Sequence, residues 1–290
     1  MSDLRLATRG SPLALAQAER VAGALRGAHP GLEVELVQIE TTGDQRTDEP
    51  LRTLGGQGIF VKEIQRALLD GAADLAVHSA KDLPALTPEE LVLCAIPERL
   101  DPADVLVGRS LAGLGPGATI ATGSPRRQHL LSELRPDLNF VELRGNMAAR
   151  LAKPGTDGID AVVAAAAALE RLGLTHLVAE RLDPMVIVPQ VAQGAIALEA
   201  RAGSSASLLA AAISDDSALR CVRAERSFLA TLGAGCSVPV AAWCTELEDG
   251  LVLRAVMVEE STGAVARLTL EGDDGVVIGR QAALELSARR

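Results

Sequence analysis

Three short turns of this sequence place arginine beside glycine, serine or threonine. They read Thr-Arg-Gly-Ser-Pro at 8–12, Thr-Gly-Ser-Pro-Arg-Arg at 122–127 and Leu-Arg-Gly-Asn at 143–146. In the first two, serine followed by proline indicates the start of a helix, whose free N–H groups and dipole attract anions. Arginine adds a planar fork that binds a carboxylate or phosphate through two hydrogen bonds. In a chain whose net charge is −10, the turns predict local pockets for a small substrate with several negative charges.

A fourth segment, His-Ser-Ala-Lys-Asp-Leu-Pro at 78–84, supplies candidate acid–base chemistry. Asp82 follows a predicted buried strand, and there a carboxylate can stabilise a developing cation or move a proton. The alternative is a purely structural role, in which Asp82 stabilises a turn or caps a helix. Lys81 can bind an anion or pair with an acid, and His78 is interpreted as a packed, hydrogen-bonded histidine.

Cys236 lies in a glycine-rich loop at 233–236, directly after a predicted helix. The glycines would expose the backbone and let the thiol approach a bulky group, whereas most free cysteines are small buried hydrophobes. Cys94 and Cys221 fit apolar core patterns, and Cys244 fits a strand. The cysteines and the four histidines lack the spacing of metal ligands, so no metal site is predicted.

Two further segments could contact a ligand. Gln193-Gly194 could bind one or act as a hinge. Gly-Gly-Gln-Gly at 55–58, within a long polar loop over 41–58, could cradle an anion but lacks the Gly-Lys-Ser/Thr ending of a P-loop. Because no Gly-x-Gly-x-x-Gly fingerprint follows a predicted strand, a nucleotide cofactor is not predicted.

Composition narrows the function classes. Among 290 residues the only aromatics besides histidine are Phe60, Phe140, Phe228 and Trp243, which together with the negative net charge argues against nucleic-acid binding. The N-terminal residues lack the apolar region of a signal peptide, and no uncharged apolar run reaches about 18 residues. We therefore expect a cytoplasmic protein with reduced thiols, no membrane partner, and a monomeric state, because no exposed apolar strand or heptad indicates self-association.

The elements that must position these residues alternate between strand and helix. Strands are predicted at 4–7, 32–39 and 73–78, with helices at 11–26 and 59–69. The order recurs with strands at 118–122, 139–143 and 159–163, a helix opened by Ser124-Pro125, and another at 165–172. Such alternation predicts two similar α/β lobes with parallel sheets, whose ligands lie beyond the carboxyl ends of the strands.

The predicted domains follow from two crossings between the lobes. Proline-bounded segments at 97–102 and 184–189 are interpreted as crossings, and a strand at 191–198 as a return to the first lobe. This gives a discontinuous first domain, 1–96 with 190–213, and a second domain, 97–189. A helix over 218–232, three alternating runs and a last helix near 280–288 predict a small α+β third domain over 214–290.

Seven segments together resemble the hydroxymethylbilane synthase family, whose members are also called porphobilinogen deaminases. In chain order they are ATRGSPLALAQ at 7–17, GGQGIFVKE at 55–63, HSAKDLP at 78–84, TGSPRRQ at 122–128, LRGN at 143–146, AQGAI at 192–196 and GAGCSVPV at 233–240. The resemblance implies two lobes like those of periplasmic binding proteins, followed by a third domain. It also implies a transferase of heme biosynthesis that joins four porphobilinogen molecules head to tail with loss of ammonia, giving hydroxymethylbilane.

The resemblance further implies roles for named residues. Asp82 matches the catalytic aspartate, and Cys236 matches the cysteine that holds a dipyrromethane cofactor through a thioether. Cofactor contacts are implied for Lys81, Thr122, Ser124, Arg126, Arg127, Arg144 and Gly145, and substrate contacts for Arg9, Ser11, Arg150 and Gln193. The sequence departs from the family pattern at two places. Gln57 and Thr53 stand where the family usually has lysine, and Gly123-Ser124-Pro125 stands where it usually has Ser-Ser-Leu.

The residues by themselves leave other function classes open. One is a non-catalytic two-lobed anion-binding protein, of the solute-receptor or sensor kind. Such a receptor is expected to carry a signal peptide and such a sensor a DNA-binding helix pair, and neither is predicted here. Another is a cysteine-nucleophile acyltransferase, although no histidine lies near Cys236 in the sequence.

Overall fold

The computed structural model describes residues 4–41, 61–233, 239–259 and 261–289. Within these ranges the chain forms two α/β lobes and a third, smaller section. The first lobe contains β1 (Leu4–Arg9), α1 (Pro12–Ala28), β2 (Val34–Ile39), α2 (Lys62–Leu69), β3 (Leu75–Ser79) and β4 (Leu91–Arg99). The second contains β5 (Asp104–Gly108), β6 (Thr119–Ala121), α3 (Pro125–Leu134), β7 (Asn139–Val141), α4 (Met147–Leu151), β8 (Ala161–Ala165), α5 (Ala166–Arg171) and β9 (Val178–Arg181).

After the second lobe the chain returns to the first. The returning segment forms β10 (Ala195–Arg201) and α6 (Ser205–Ala211). The third section contains α7 (Asp216–Leu232), β11 (Val240–Leu247), β12 (Gly250–Val258), β13 (Val265–Gly272) and α8 (Gly275–Ser287). The predicted elements are thus present, with ends shifted by a few residues.

The two lobes share one sheet topology. The first sheet has the strand order β2-β1-β3-β10-β4 and the second the order β7-β6-β8-β5-β9. In the first, β1 is parallel to β2 and β3, while β10 is antiparallel to β3 and β4. In the second, β6 is parallel to β7 and β8, while β5 is antiparallel to β8 and β9.

The antiparallel strands are a difference from the predicted parallel sheets. β5 and β10 are the strands that enter each lobe from the other, through short links instead of helical crossovers. Both strands enter at the edge of the sheet where the parallel strands end, so each is antiparallel to those strands. Asp104, the first residue of β5, therefore lies opposite Ala165, the last residue of β8, at the edge where ligands are expected.

Serine caps both helices that follow a predicted anion turn. Ser11 Oγ accepts a hydrogen bond from Ala14 N at 3.3 Å, and Pro12 is the first residue of α1. Ser124 Oγ accepts from Arg127 N at 3.4 Å, and Pro125 opens α3. The Ser-Pro pairs therefore start these helices, as the sequence predicts.

The two crossings differ in extent from their predicted bounds, because β4 continues to Arg99 and β10 begins only at Ala195. They span residues 100–103 and 182–194, and they pack closely against each other. Gly194 has a φ of +89° and leaves room for Leu100 O, which would lie 2.4 Å from an added Cβ. Leu100 N donates to Gly194 O at 3.1 Å. Ala192 adopts a left-handed φ of 59°, and its N–H donates to Glu225 of α7 at 2.6 Å. The crossings are thus fixed to each other and to the third section.

The third section contacts both lobes through its sheet. Ala242 and Cys244 of β11 share a core with α7, α8 and first-lobe residues such as Leu83 and Ile96. Ala241 and Val256 instead join the core of the second lobe, on the opposite face. Among the described residues, no helix combines the length and apolar character needed to span a bilayer.

Candidate active site

The predicted polar turns lie at one edge of each sheet. In the first lobe Arg9 ends β1 and Lys81-Asp82 follow β3, a parallel neighbour of β1. In the second lobe the turn at 122–124 follows β6, and Arg144-Gly145 follow its parallel neighbour β7. Each lobe thus presents polar turns at the carboxyl ends of its parallel strands.

The Arg150 guanidinium is influenced by other cations and by the charge of Asp82. Burial lowers the pKa of the Arg150 guanidinium, repulsion by Arg127 and Arg144 lowers it further, and Asp82 opposes the shift. Because Asp82 belongs to the first lobe and the three arginines to the second, charges from both lobes meet here. A carboxylate close to a guanidinium group can stabilise a developing cation or accept a proton from a bound anionic substrate.

Lys81 lies on the first-lobe side of the same charge cluster. Burial lowers the pKa of its ammonium group to about 8, repulsion by Arg127 and Arg126 adds to the lowering, and Asp82 and Asp104 oppose it. Its Nζ donates to Gln193 Oε1 at 3.3 Å. Near neutral pH the amine is therefore charged and would attract a carboxylate.

Arg144 and Gly145 shape the second-lobe wall. Arg144 pairs with Glu142 at the surface. Gly145 has a φ of +97°, a left-handed backbone that favours glycine, and its carbonyl accepts from Arg150 Nε at 2.7 Å. The turn thus holds Arg150 in place and leaves Arg144 partly exposed.

Arg126 and Arg127 are neighbours in sequence but differ in environment. Arg126 is buried, and it donates to Asp104 Oδ2 at 2.7 Å and to Val188 O at 2.6 Å. Arg127 donates to Asp104 Oδ1 through Nε at 3.0 Å and Nη2 at 2.6 Å, and to Val163 O through Nη1 at 3.1 Å. Both arginines influence Lys81, but Arg126 is enclosed in protein, whereas the charge of Arg127 also reaches Arg150.

The remaining predicted residues have simpler surroundings. Thr122 is buried, and its Oγ1 accepts from Ser124 N at 3.2 Å, which tightens the turn before α3. Arg9 is half-buried at the strand end, two residues before the capping Ser11. Gln193 is fully buried and donates to Pro102 O at 2.7 Å.

Cys236 and the glycine loop at 55–58, with Gln57 and Thr53, lie outside the described residues. Their predicted roles stay predictions. Within the described ranges, no group of three or more His, Cys, Asp or Glu side chains could hold a metal ion.

His78 and Cys94 are packed, as the sequence predicts. His78 is buried on β3, but its Nε2 makes no hydrogen bond within the described residues, although it lies 3.2 Å from Glu199 Oε2. Burial raises the pKa of the Cys94 thiol to about 12, as expected for a packed cysteine.

The structure adds residues that the sequence analysis missed. Asp104 binds both arginines of the second turn. Gln17 of α1 donates to Ser79 Oγ at 3.0 Å, directly before the Lys81 turn. Both are single polar residues within apolar patterns, and the amphipathic spacing of α1 would place Gln17 on its buried face. No local motif marks Asp104.

Comparisons with known proteins point to one family. A family model described as porphobilinogen deaminase, dipyromethane cofactor binding domain, matches residues 4–208, and one described as the C-terminal domain matches 219–288. Porphobilinogen deaminase of Syntrophotalea carbinolica is 47% identical over 294 residues, covering 99% of this chain and 93% of that protein. Its counterpart from Nitratidesulfovibrio vulgaris is 47% identical over 298 residues, covering 100% and 93%.

Solved structures with a similar chain path include the periplasmic VFT2 domain of BvgS from Bordetella pertussis. It has a TM-score of 0.44 and 18% identity, and the match covers 78% of this chain and 92% of that domain. YhfZ from Shigella flexneri has a TM-score of 0.40 and 16% identity, covering 78% and 94%.

Proposed function

We propose a residue-level mechanism from the premise that this chain belongs to the porphobilinogen deaminase family. It is a transferase that condenses four porphobilinogen molecules head to tail, with loss of ammonia, to give hydroxymethylbilane in tetrapyrrole biosynthesis. Its cofactor is dipyrromethane. The alternative of a non-catalytic anion-binding protein is not favoured.

The charged side chains contributed by the two lobes fit a dipyrromethane. Each pyrrole unit carries an acetate and a propionate, so the cofactor needs several cationic donors. The crowding of Arg127 and Arg144 around Arg150 leaves positive charge that Asp82 offsets only in part. We assign Lys81, Arg127 and Arg144 to the carboxylates of the cofactor and of the pyrrole units added to it, with Gly145, Thr122 and Ser124 shaping the turns beside them. Bound through Cys236, the cofactor supplies the pyrrole carbon on which the product chain is built.

Arg126 has a different place in this proposal. Its side chain is 4% exposed and bound to Asp104, so we assign it the task of supporting the turn instead of direct contact with cofactor. Arg9, Ser11 and Arg150 are proposed for substrate, whereas the fully buried Gln193, whose amide is bonded to Pro102, Asp104 and Lys81, is proposed to support the site without touching substrate. Arg150 would hold an incoming carboxylate next to Asp82, because it is a second-lobe cation on which the charge of Asp82 acts.

Asp82 is the proposed catalytic residue. When porphobilinogen loses ammonia, positive charge develops on the pyrrole, and a fixed carboxylate close by stabilises that charge. The same carboxylate can accept the proton released when the new carbon–carbon bond forms. The proposal rests on the charge of Asp82 acting both on Lys81 of its own lobe and on Arg150 of the other lobe.

The proposed thioether is tested by intact mass spectrometry of the denatured protein. The purified chain should carry a mass increment of two pyrrole units. Cys236→Ala should lack it, while Cys94→Ala should keep it because Cys94 packs in the core. An unmodified parental chain from a heme-competent host would contradict the assignment of Cys236.

The affinity for porphobilinogen should depend on pH through Lys81. Its pKa near 8 means that the amine is charged below that pH and neutral above it. The KM should therefore be nearly constant from about pH 6.5 to 7.5 and rise above pH 8. Lys81→Arg keeps its charge in this range, so its KM should not rise there; the same rise in both proteins would rule out Lys81 as the cause.

Arg144→Leu should weaken chain growth without harming the fold. Its side-chain partner Glu142 is exposed, so the substitution leaves no buried charge. Loss of charge-assisted hydrogen bonds to a carboxylate corresponds to a rise in KM of roughly 10- to 100-fold. Steady-state kinetics measure it, with Arg66→Leu, at the exposed pair with Asp70, as the control. Equal KM values for the two variants would remove Arg144 from the site.

We also propose the domain boundaries, a monomeric state and a cytoplasmic location. Separate lobe sheets and the third sheet support division into 1–96 with 190–213, 97–189 and 214–290. A reducing compartment is supported by Cys221 and Cys244, free thiols buried in the same core. Size-exclusion chromatography with light scattering tests the monomer.

A further inference from the structure

Asp104 is a fully buried carboxylate at the point where the chain enters the second lobe. Its Oδ1 accepts from Arg127 Nε and Nη2 and from Gln193 Nε2 at 2.8 Å, and its Oδ2 accepts from Arg126 Nη2. Burial opposes ionisation, but the charges of Arg126 and Arg127 outweigh it, so the pKa of Asp104 lies well below its ordinary value. The carboxylate is therefore charged throughout the physiological range.

These bonds fix the direction of the Arg127 fork. Asp104 accepts hydrogen bonds from Nε and Nη2 along one edge of the guanidinium, and Val163 O accepts one from Nη1. A guanidinium has five N–H groups, so these three bonds leave further N–H groups for a ligand. Arg127 also acts electrostatically on Lys81 and Arg150, which places it beside the cleft.

A second connection runs from Asp104 to the first lobe. Gln193, on the second crossing, uses its amide nitrogen to bind Asp104 and Pro102 O of the first crossing. Its amide oxygen accepts from Lys81 Nζ. Arg127, Asp104, Gln193 and Lys81 thus form a continuous series of hydrogen bonds across the crossings.

We propose that Asp104 is a positioning residue: it orients Arg127 toward ligand carboxylates and, through Gln193, aligns Lys81 with them across the two lobes. The proposal rests on the function proposed above. Asp104 itself is enclosed and contacts no substrate. Its effect is to present cations from both lobes at a fixed separation, as a ligand with several carboxylates requires.

The three lysines of the chain, Lys62, Lys81 and Lys153, allow a direct test by NMR titration of [13C]lysine-labelled protein. The Lys81 signal is assigned by its loss in Lys81→Arg. Asp104→Asn removes a negative charge that supports the Lys81 ammonium, so its titration should move to lower pH. Gln193→Met removes an acceptor and should move it in the same direction, while Lys62 and Lys153 stay unchanged. Arg126, Arg127 and Asp82, the other charges around Lys81, remain in both variants.

Kinetics test the orientation of Arg127. In the cofactor-bearing enzyme, Asp104→Asn should raise KM for porphobilinogen about tenfold and change kcat less, because ground-state carboxylate binding is weakened. Asp104→Glu keeps the negative charge but moves the carboxylate. The Lys81 signal should therefore titrate as in the parental protein, while KM should stay raised.

Unchanged Lys81 titration and unchanged KM in a folded Asp104→Asn protein would overturn the proposal. Restoration of both values by Asp104→Glu would also overturn it, because only charge would then matter. If Asp104→Asn does not fold, Gln193→Met provides the test, because it leaves the ion pairs of Asp104 with Arg126 and Arg127 intact. An unchanged Lys81 titration in that variant would contradict the proposal. A parental enzyme that does not consume porphobilinogen would contradict the proposed function, and the titration would still test Asp104.

Discussion

Asp82→Asn is expected to lower turnover of porphobilinogen by about 100- to 10,000-fold, the range typical for loss of an acid–base or charge-stabilising group. The amide has nearly the same shape, but it cannot accept a proton or neutralise a developing cation. Because Asp82 follows Lys81 in the chain and its charge acts on both Lys81 and Arg150, it is placed to act where both lobes present cations. Turnover is measured by formation of the product from purified, cofactor-bearing protein.

The variant should retain its dipyrromethane, because the proposed cofactor ligands are unchanged. Intact mass therefore separates a defect in turnover from a defect in assembly. Asp137→Asn is a suitable control, since it alters a pair with Arg135 that precedes β7, whereas the Arg144 turn follows that strand. If Asp82→Asn kept more than a tenth of parental turnover, Asp82 would not be the catalytic carboxylate.

Arg126→Leu should produce a loss of stability of about 3–5 kcal/mol, the cost typical of removing one partner of a buried ion pair. The substitution leaves the fully buried Asp104 without one of its two guanidinium partners and Val188 O without a donor. Urea unfolding followed through the single tryptophan, Trp243, measures the change, because Trp243 packs against the second-lobe core.

Arg66→Leu is the matched control for this measurement. Its partner Asp70 is exposed and four residues away on the same helix end, so the loss should be about 0–1 kcal/mol. A double variant, Asp104→Leu with Arg126→Leu, should recover part of the stability lost in Arg126→Leu, because apolar replacements of a buried pair are often tolerated. Similar unfolding free energies for Arg126→Leu and Arg66→Leu would show that the buried pair contributes little.

The positions of the anion turns could be predicted because local chemistry determines them. Ser11-Pro12 and Ser124-Pro125 specify helix starts by capping, and strands before them follow from apolar runs. What each arginine contacts could not be predicted in the same way. Arg126 and Arg127 are adjacent on α3, so their side chains point in different directions, and only the packed fold decides which one faces the core.

Asp104 illustrates a second limit of the sequence. Its partners are 22, 23 and 89 residues away, and they meet it only because β5 runs antiparallel to β8. The parallel sheets predicted from strand–helix alternation would put the start of β5 at the opposite edge. The topology of the crossings, and not a local motif, therefore brings this carboxylate to the charge cluster.

The third sheet contributes its two faces to different cores, Ala242 to one shared with the first lobe and Ala241 to that of the second. Neither lobe can lose this sheet without exposing apolar side chains to water. Heating should therefore melt all three parts together as one cooperative unit. A destabilising substitution on the third sheet would then lower the melting temperature of the whole enzyme, even where it lies far from any reacting group.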